Sequence, residues 1–200
     1  MIFIKFIFGL ISHYIINNIL FKNKILLDDP DHFQHKKLVN RKKNIVLSGG
    51  LVFSILFLVF SSTSLVLKLF ILFIFLVGLI SDLKIVNLPS LRFLLQFIIC
   101  IIFVQLLDIG ISFTDLKYLD LILEYKYNKI LFSVFCILVL INGSNFFDGL
   151  NTLVIGYYAL VLLTLIVFIK VYNINYDIEL IINSILILFI LLIFNILNKS

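Results

Sequence analysis

Long apolar runs separated by short polar segments cover the chain from end to end. Most of the runs approach the roughly 20 residues that a helix needs to cross about 30 Å of hydrocarbon. The strict two-residue alternation of an outer-membrane barrel is not seen. The pattern therefore predicts about seven helical spans, which we place at residues 2–21, 45–60, 65–80, 91–107, 130–142, 152–169 and 179–196.

Composition strengthens this prediction. Hydrophobic residues make up 62% of the 200 residues and charged residues 14%, and the mean hydropathy is +1.21, far outside the balance of a soluble domain. Cys100 and Cys136 lie inside apolar runs without the spacing of a metal site or a disulfide framework, so we interpret both as small core residues. We expect an all-α, polytopic integral membrane domain over residues 1–200.

Basic residues set the predicted orientation, because loops rich in Lys and Arg stay on the cytoplasmic side. The segment 22–44 is the most basic connection, so we place it inside and the N-terminus outside. Alternation along the chain then places residues 81–90 and 142–151 inside, and residues 108–129 and 170–178 outside. The basic residues of the first loop are Lys22, Lys24, Lys36, Lys37, Arg41, Lys42 and Lys43.

The polar stretch "NGSNFFDGLN" stands between two apolar runs and has two interpretations. Asn-Gly and Asp-Gly are ordinary turn dipeptides, and Asp148 could simply cap a helix that begins near Thr152. Alternatively, Asn142, Asn145 and Asp148 are spaced by three, so a helix that continues through them would align all three on one side. Polar groups at membrane depth normally face a partner or a water-filled cavity.

Other polar residues also have a structural interpretation. Asp82 in "GLISDLK" could be a boundary residue at the inner end of a span, with Ser81 as a cap. The basic first loop could serve only topology and binding to anionic lipid headgroups. His13 and Asn17, four residues apart in the first span, are predicted to form hydrogen bonds between helices, and we assign them no chemistry.

Taken in order, three segments resemble a known enzyme family. "NGSNFFDGLNTL" resembles the Asn-x-x-Asn-x-x-Asp-Gly signature of the polyprenyl-phosphate N-acetylhexosamine-1-phosphate transferases, which are glycosyl transferases of family 4. "GLISDLKIVNLPSLRFLLQ" is similar to the acidic cytoplasmic segment of that family, in which a Pro, a basic residue and a Gln follow the acidic residues. "DDPDHFQHKKLVNRKKNIVLSGG" occupies the place of its first cytoplasmic loop. The resemblance covers roughly residues 25–200.

The resemblance implies transfer of an N-acetylhexosamine 1-phosphate from a UDP-sugar to a polyprenyl phosphate, with release of UMP and a requirement for Mg²⁺. It implies that Asp82 and Asp148 are the catalytic carboxylates associated with the metal. It also implies a multi-pass protein of the bacterial inner membrane whose active site faces the cytoplasm. It implies no nucleic-acid partner, and it is compatible with a homodimer. The residues implied to contact the substrate are Asn142, Asn145, Gly149, Asn151, Lys42 and Lys43.

The sequence departs from the family pattern at four places, one of which is Val46 and Leu47, where the family often has Pro and a polar or basic residue before Gly-Gly. Ser81 stands where the family usually has the first Asp of a pair, and Asn151 stands where Asp is common. The family's Gly-Asp-x-Gly segment, which would follow the final "LLIFNILNKS", does not occur in these 200 residues. We therefore expect the N-terminal part of a longer family fold. The alternatives are a non-catalytic membrane scaffold or transporter subunit, or an inactive truncated remnant.

Overall fold

Eight helices and one short strand pair make up the described part of the protein. The computed structural model describes residues 2–28, 45–83, 85–86, 88–147, 152–174, 176 and 178–197. The helices are α1 (Ile2–Lys22), α2 (Gly49–Phe60), α3 (Leu65–Asp82), α4 (Pro89–Leu106), α5 (Lys117–Leu123), α6 (Lys126–Phe147), α7 (Leu153–Val171) and α8 (Ile178–Leu197). Strands β1 (Leu27–Asp28) and β2 (Ile45–Val46) pair in antiparallel fashion.

Six of these helices, namely α1, α3, α4, α6, α7 and α8, are long and apolar enough to cross a membrane. Each coincides with a predicted span to within a few residues, so the predicted helical membrane bundle is confirmed. Helix α2 has 12 residues and covers about 18 Å, which is less than the roughly 30 Å of a hydrocarbon core. The predicted span at 45–60 begins instead as strand β2, and its helix starts only at Gly49.

Polar and proline residues mark several helix ends. The Ser64 hydroxyl accepts a hydrogen bond from the Leu67 amide at 3.4 Å and so caps the start of α3. Pro89 is the first residue of α4, where its missing N–H costs no helical hydrogen bond. In the first turn of α5, the Asp120 carboxylate accepts hydrogen bonds from the amide and the hydroxyl of Thr114, which precedes the helix, both at 2.7 Å.

The described chain divides into two compact units. The terminal unit comprises residues 1–62 and 147–200, and the central unit comprises residues 63–146. In the terminal unit, α1 packs against α2 and α8, and α8 also packs against α7. Gly9 permits a close approach between α1 and α8, because a side chain there would collide with the Ile190 Cδ1 atom. The fully buried side chains of this unit include Val52, Leu56, Ile187 and Ile190.

A polar cluster joins the start of α1, the end of α2 and the start of α8. The Lys5 ammonium donates to Asn183 Oδ1 at 3.0 Å and lies 3.3 Å from the Glu179 carboxylate. The buried Asn183 amide donates to the Phe60 carbonyl oxygen at 3.0 Å. That carbonyl belongs to the last turn of α2, which has no helical donor for it, so Asn183 supplies a hydrogen bond in place of one, together with the Lys5 ammonium at 3.5 Å.

This cluster places the start of α1, the end of α2 and the start of α8 at one end of the terminal unit. Four long apolar helices, α3, α4, α6 and α7, lie between α2 and α8 in the chain. An even number of crossings returns a chain to the side from which it started. The positions of these helix ends therefore agree with alternating spans, whereas which end faces the cytoplasm stays a prediction.

A second polar network joins α1 to the residue before α2. The Ser48 hydroxyl donates to Asn17 Oδ1 at 3.2 Å and lies 3.3 Å from His13 Nε2. The His13 ring stacks on Phe194 of α8, with ring centroids 3.9 Å apart. His13 and Asn17 were predicted to form hydrogen bonds between helices; their partner is instead Ser48, the residue that precedes α2.

The core of the central unit forms where α4 and α6 pack together. Its buried side chains are Cys100 and Val104 from α4, with Ile130, Val134 and Leu138 from α6, and Phe70 and Ile74 of α3 pack against them. Cys100 is fully buried, as predicted for a core residue, whereas Cys136 is only half-buried. Both thiols are free.

Candidate functional site

The candidate site lies at the end of the central unit where α3 stops and α4 starts. Asp82 is the last residue of α3, and its side chain is exposed. The chain turns there, because the Leu83 amide donates to the Leu79 carbonyl and the Ile85 amide donates to the Ile80 carbonyl. Helices α3 and α4 pack against each other, so residues 83–88 join two neighbouring helix ends. Asp82 therefore lies at the same end of this helix pair as the first turn of α4.

The first turn of α4 carries a positive charge. Arg92 is the fourth residue of this helix, and its Nε atom is buried without a hydrogen-bond partner among the described residues. A guanidinium group offers five donors and stays charged at every physiological pH. Arg92 thus brings both charge and an unused buried donor to the end where Asp82 lies.

One helical turn further along α4, Gln96 is buried with 3% of its surface exposed. Its Oε1 atom accepts a hydrogen bond at 3.2 Å from the Nδ2 group of Asn142 on α6. The same Nδ2 group donates to the Leu138 carbonyl oxygen at 3.0 Å. Gln96 and Asn142 thus form a polar bridge between α4 and α6, directly beyond the apolar core of the unit.

Helices α4 and α6 run in opposite directions. At one end the Ile111 amide, which follows α4, donates to the Ser133 hydroxyl near the start of α6 at 2.8 Å. At the other end Gln96, nearer the start of α4, meets Asn142, near the end of α6. The end of α6 therefore lies at the same end of the unit as the start of α4. The described polar residues at this end include Asp82, Arg92, Gln96 and Asn142.

Helix α6 continues through Phe147, so Asn142 and Asn145 have the three-residue helical spacing on which their predicted alignment depends. The side chain of Asn145 lies outside what the structure describes. Ser144, between them, donates to the Leu140 and Ile141 carbonyls at 2.9 Å, so its hydroxyl is satisfied within its own helix. The predicted site residues that lie wholly outside the described residues are Asp148, Gly149, Asn151, Lys42 and Lys43.

Within the described ranges, no three His, Cys, Asp or Glu side chains are grouped so as to hold a metal ion. Asp82 supplies one exposed carboxylate at the candidate site. Mg²⁺ in phosphate-transfer sites commonly binds one or two carboxylates, with water and substrate oxygens completing its shell. The donor present therefore fits Mg²⁺, provided that the substrate supplies further oxygens. The half-buried Ser81, beside it, contributes a hydroxyl instead of a second carboxylate.

Sequence reasoning gave Arg92 and Gln96 no role, although both lie in the segment "PSLRFLLQ". The available signal was the presence of two polar residues four positions apart on an otherwise apolar helix. Such residues share one helical face, and polar groups in a membrane helix normally face a partner. The partner of Gln96 is 46 positions away in sequence, however, so the spacing alone could not identify it.

Comparison with known proteins identifies the family. Residues 64–200 match the profile described as glycosyl transferase family 4, which covers more than half of the chain and includes all of the central unit except Thr63. Searches of curated proteins and of solved structures returned no match. The matched region contains Asp82, Arg92, Gln96 and Asn142, and it includes five of the six long apolar helices. The chain therefore belongs to glycosyl transferase family 4 and is a transferase of the helical membrane type.

Proposed function

We propose that this protein transfers an N-acetylhexosamine 1-phosphate from a UDP-sugar to a membrane polyprenyl phosphate and thereby starts a cell-envelope polysaccharide. The observation that carries the proposal is that Asp82, Arg92, Gln96 and Asn142 all lie at one end of the central unit, within the region that matches the family. This set combines a carboxylate, a cation and neutral amides. Such a combination suits a substrate with a diphosphate, a base and an amide-bearing sugar.

The proposed reaction exchanges one phosphorus–oxygen bond for another. An oxygen of the lipid phosphate attacks the phosphorus that carries the sugar, and the bond from this phosphorus to the oxygen bridging the two phosphates breaks. The electron pair of that bond leaves with UMP. Because two anions must approach each other, the site has to offset their repulsion and hold them in line.

Arg92 can supply part of that positive charge. Its buried Nε atom has no partner among the described residues, so a phosphate oxygen could accept a hydrogen bond there without breaking an existing bond of that atom. Arginine binds phosphate oxygens through two parallel hydrogen bonds. Lys42 and Lys43 would add charge from the first loop, as the resemblance implies.

Asp82, together with Asp148, would hold the Mg²⁺ ion of the proposed reaction. Bound Mg²⁺ supplies neutralisation of charge on the phosphate oxygens. Asn142 and Asn145 would contact the nucleotide sugar, and Gly149 would allow the chain to approach it closely, because glycine has no side chain.

The position of the site suits a lipid phosphate. Asp82 ends a helix long enough to span a membrane, so it lies where such a helix would leave the hydrocarbon. A polyprenyl phosphate keeps its chain in the bilayer and its phosphate at that boundary. We infer that this boundary is the cytoplasmic face of a bacterial inner membrane, because the basic segment 22–44 is predicted to lie inside.

The test supplies the purified full gene product with UDP-N-acetylglucosamine, polyprenyl phosphate and Mg²⁺, and identifies the nucleotide released. We expect UMP, formed only when the lipid phosphate is present, and we expect Asp82→Asn to reduce its rate by about a hundredfold or more, as for loss of a transition-state contact. Release of UDP would indicate transfer of the sugar alone and would contradict the proposal.

A further inference from the structure

The hydrogen bonds around Asn142 fix which atom of its side chain remains available to a ligand. The Leu138 carbonyl oxygen lies 3.0 Å from the Asn142 amide group, and a backbone carbonyl can only accept a hydrogen bond. The atom that faces Leu138 must therefore be Nδ2 and not Oδ1. This assignment follows from the chemistry of the neighbour and does not depend on distinguishing nitrogen from oxygen.

The same reasoning fixes the orientation of Gln96. Its side-chain amide lies 3.2 Å from Asn142 Nδ2, so it must present its oxygen to that donor. The two hydrogens of Asn142 Nδ2 are then both used, one by Leu138 and one by Gln96. The Oδ1 atom of Asn142 has no hydrogen-bond partner among the residues that the structure describes, and it can only accept.

Gln96 is well placed to hold this orientation. It is 3% exposed and shares a helical face with Cys100 and Val104, which are packed in the core against α6. A buried amide is costly unless it is hydrogen-bonded. A simple packing residue at this position would be apolar, as Cys100 and Val104 further along the same face are, so the polar side chain indicates a specific partner.

We propose that Gln96 is a positioning residue, which holds Asn142 so that its Oδ1 atom accepts a hydrogen bond from an N–H or O–H group of the nucleotide sugar. The inference rests on the proposed function for the identity of the ligand. It excludes the phosphate oxygens as partners of Asn142, because these oxygens are themselves acceptors. The donor belongs either to the nucleotide or to the sugar, and both offer N–H and O–H groups.

The test measures the Kd of UDP-N-acetylglucosamine and of UMP by isothermal titration, with the full gene product in detergent. Gln96→Met removes the acceptor at nearly constant volume, and we expect the Kd of UDP-N-acetylglucosamine to rise about two- to tenfold, as for one neutral hydrogen bond. In an Asn142→Ala background the same change should have no further effect. The matched control is Cys100→Ala, one turn away on the same face, which should leave the Kd unchanged.

The UMP arm locates the donor. An equal rise in the Kd of UMP places the donor on the nucleotide, and a rise confined to UDP-N-acetylglucosamine places it on the sugar. Either result supports the inference. The inference would be overturned by an unchanged Kd in Gln96→Met or by an equal rise of the Kd in Cys100→Ala. It would also be overturned by additive effects in the double variant, or by the absence of binding to the unmodified protein.

Two further measurements separate this inference from folding effects and from the proposed function. If Gln96→Met does not fold, Gln96→Glu keeps an acceptor oxygen and should bind within about threefold of the unmodified protein; a larger loss would contradict the inference. UMP release is measured on the same preparations. Binding that depends on Gln96, without any UMP release, would refute the proposed reaction and leave the positioning role supported.

Discussion

Replacement of Asn183 by leucine should destabilise the terminal unit, because Asn183 is the central member of the cluster that joins α1, α2 and α8. Its amide donates to the Phe60 carbonyl at 3.0 Å, and its Oδ1 atom accepts from Lys5 at 3.0 Å. Leucine has the same number and branching of side-chain heavy atoms but forms neither hydrogen bond. The Lys5 ammonium would keep its contacts with Glu179 and, at 3.5 Å, with the Phe60 carbonyl.

The size of the effect follows from the two lost hydrogen bonds. A neutral hydrogen bond contributes about 0.5 to 1.5 kcal/mol and one to a charged group about 1.5 to 3 kcal/mol, so the loss is about 2 to 4.5 kcal/mol. The added apolar surface of leucine offsets roughly 1 kcal/mol of this. We therefore expect the free energy of unfolding to fall by about 1 to 3.5 kcal/mol. The Lys5–Glu179 ion pair adds little, because the Glu179 side chain is 49% exposed.

The assay is reversible unfolding in mixed detergent micelles, followed by circular dichroism. The neighbouring residue offers a matched control, because the Ser184 hydroxyl donates only to the Leu180 carbonyl of its own helix, at 2.9 Å. Ser184→Ala should change the free energy of unfolding by no more than about 0.5 kcal/mol. Equal losses in the two variants would refute the reasoning, because the effect would then not depend on the contacts between helices.

Three further predictions concern topology and the site. A cysteine introduced at Asn40 should not react with a membrane-impermeant thiol reagent in sealed cells, because the basic segment 22–44 is predicted to be cytoplasmic. A cysteine at Leu116 should react. The reverse labelling would overturn the predicted orientation. Asp148→Asn in the full gene product should reduce the rate of UMP release by about a few hundredfold without unfolding the helices. Asn145→Ala should weaken nucleotide-sugar binding only about a few-fold. A normal rate of UMP release in Asp148→Asn would contradict the catalytic role of Asp148. Cysteines at Asp82 and Asp148 should be joined by a cross-linker of about a dozen ångströms, because one hydrated Mg²⁺ can bridge only nearby carboxylates; failure to cross-link would argue against a shared site.

The long helices could be predicted because the length of an apolar run is itself the physical requirement for crossing a bilayer. The same signal overestimated the second span, because Ile45 and Val46 are apolar yet pair with Leu27 and Asp28 as a strand. That pairing joins Leu27 to Val46 and Asp28 to Ile45, which are 19 and 17 positions apart, and local hydropathy does not record it. Helix α5 was missed because its seven residues are too few to show a helical repeat, and its start is held by a contact of Asp120 with Thr114, which precedes the helix.

The candidate site was predictable only where the sequence repeats at the helical period. Asn142 stood out because Asn145 and Asp148 follow it at intervals of three, and α6 does continue past Asn145. The contact of Gln96 with Asn142 and the contact of Lys5 with Asn183 join residues 46 and 178 positions apart. Such pairings depend on how helices pack, which the order of polar and apolar residues along one helix does not specify.

The most direct test of the proposed reaction follows the β-phosphate of the donor. UDP-N-acetylglucosamine labelled with ³²P at its β-phosphate is incubated with the full gene product, polyprenyl phosphate and Mg²⁺, and the lipid is then extracted into organic solvent. Transfer of a sugar 1-phosphate carries the labelled phosphorus into the lipid and releases unlabelled UMP, which is the result we expect. Label that stays in the aqueous phase as UDP, while the sugar enters the lipid, would contradict the account.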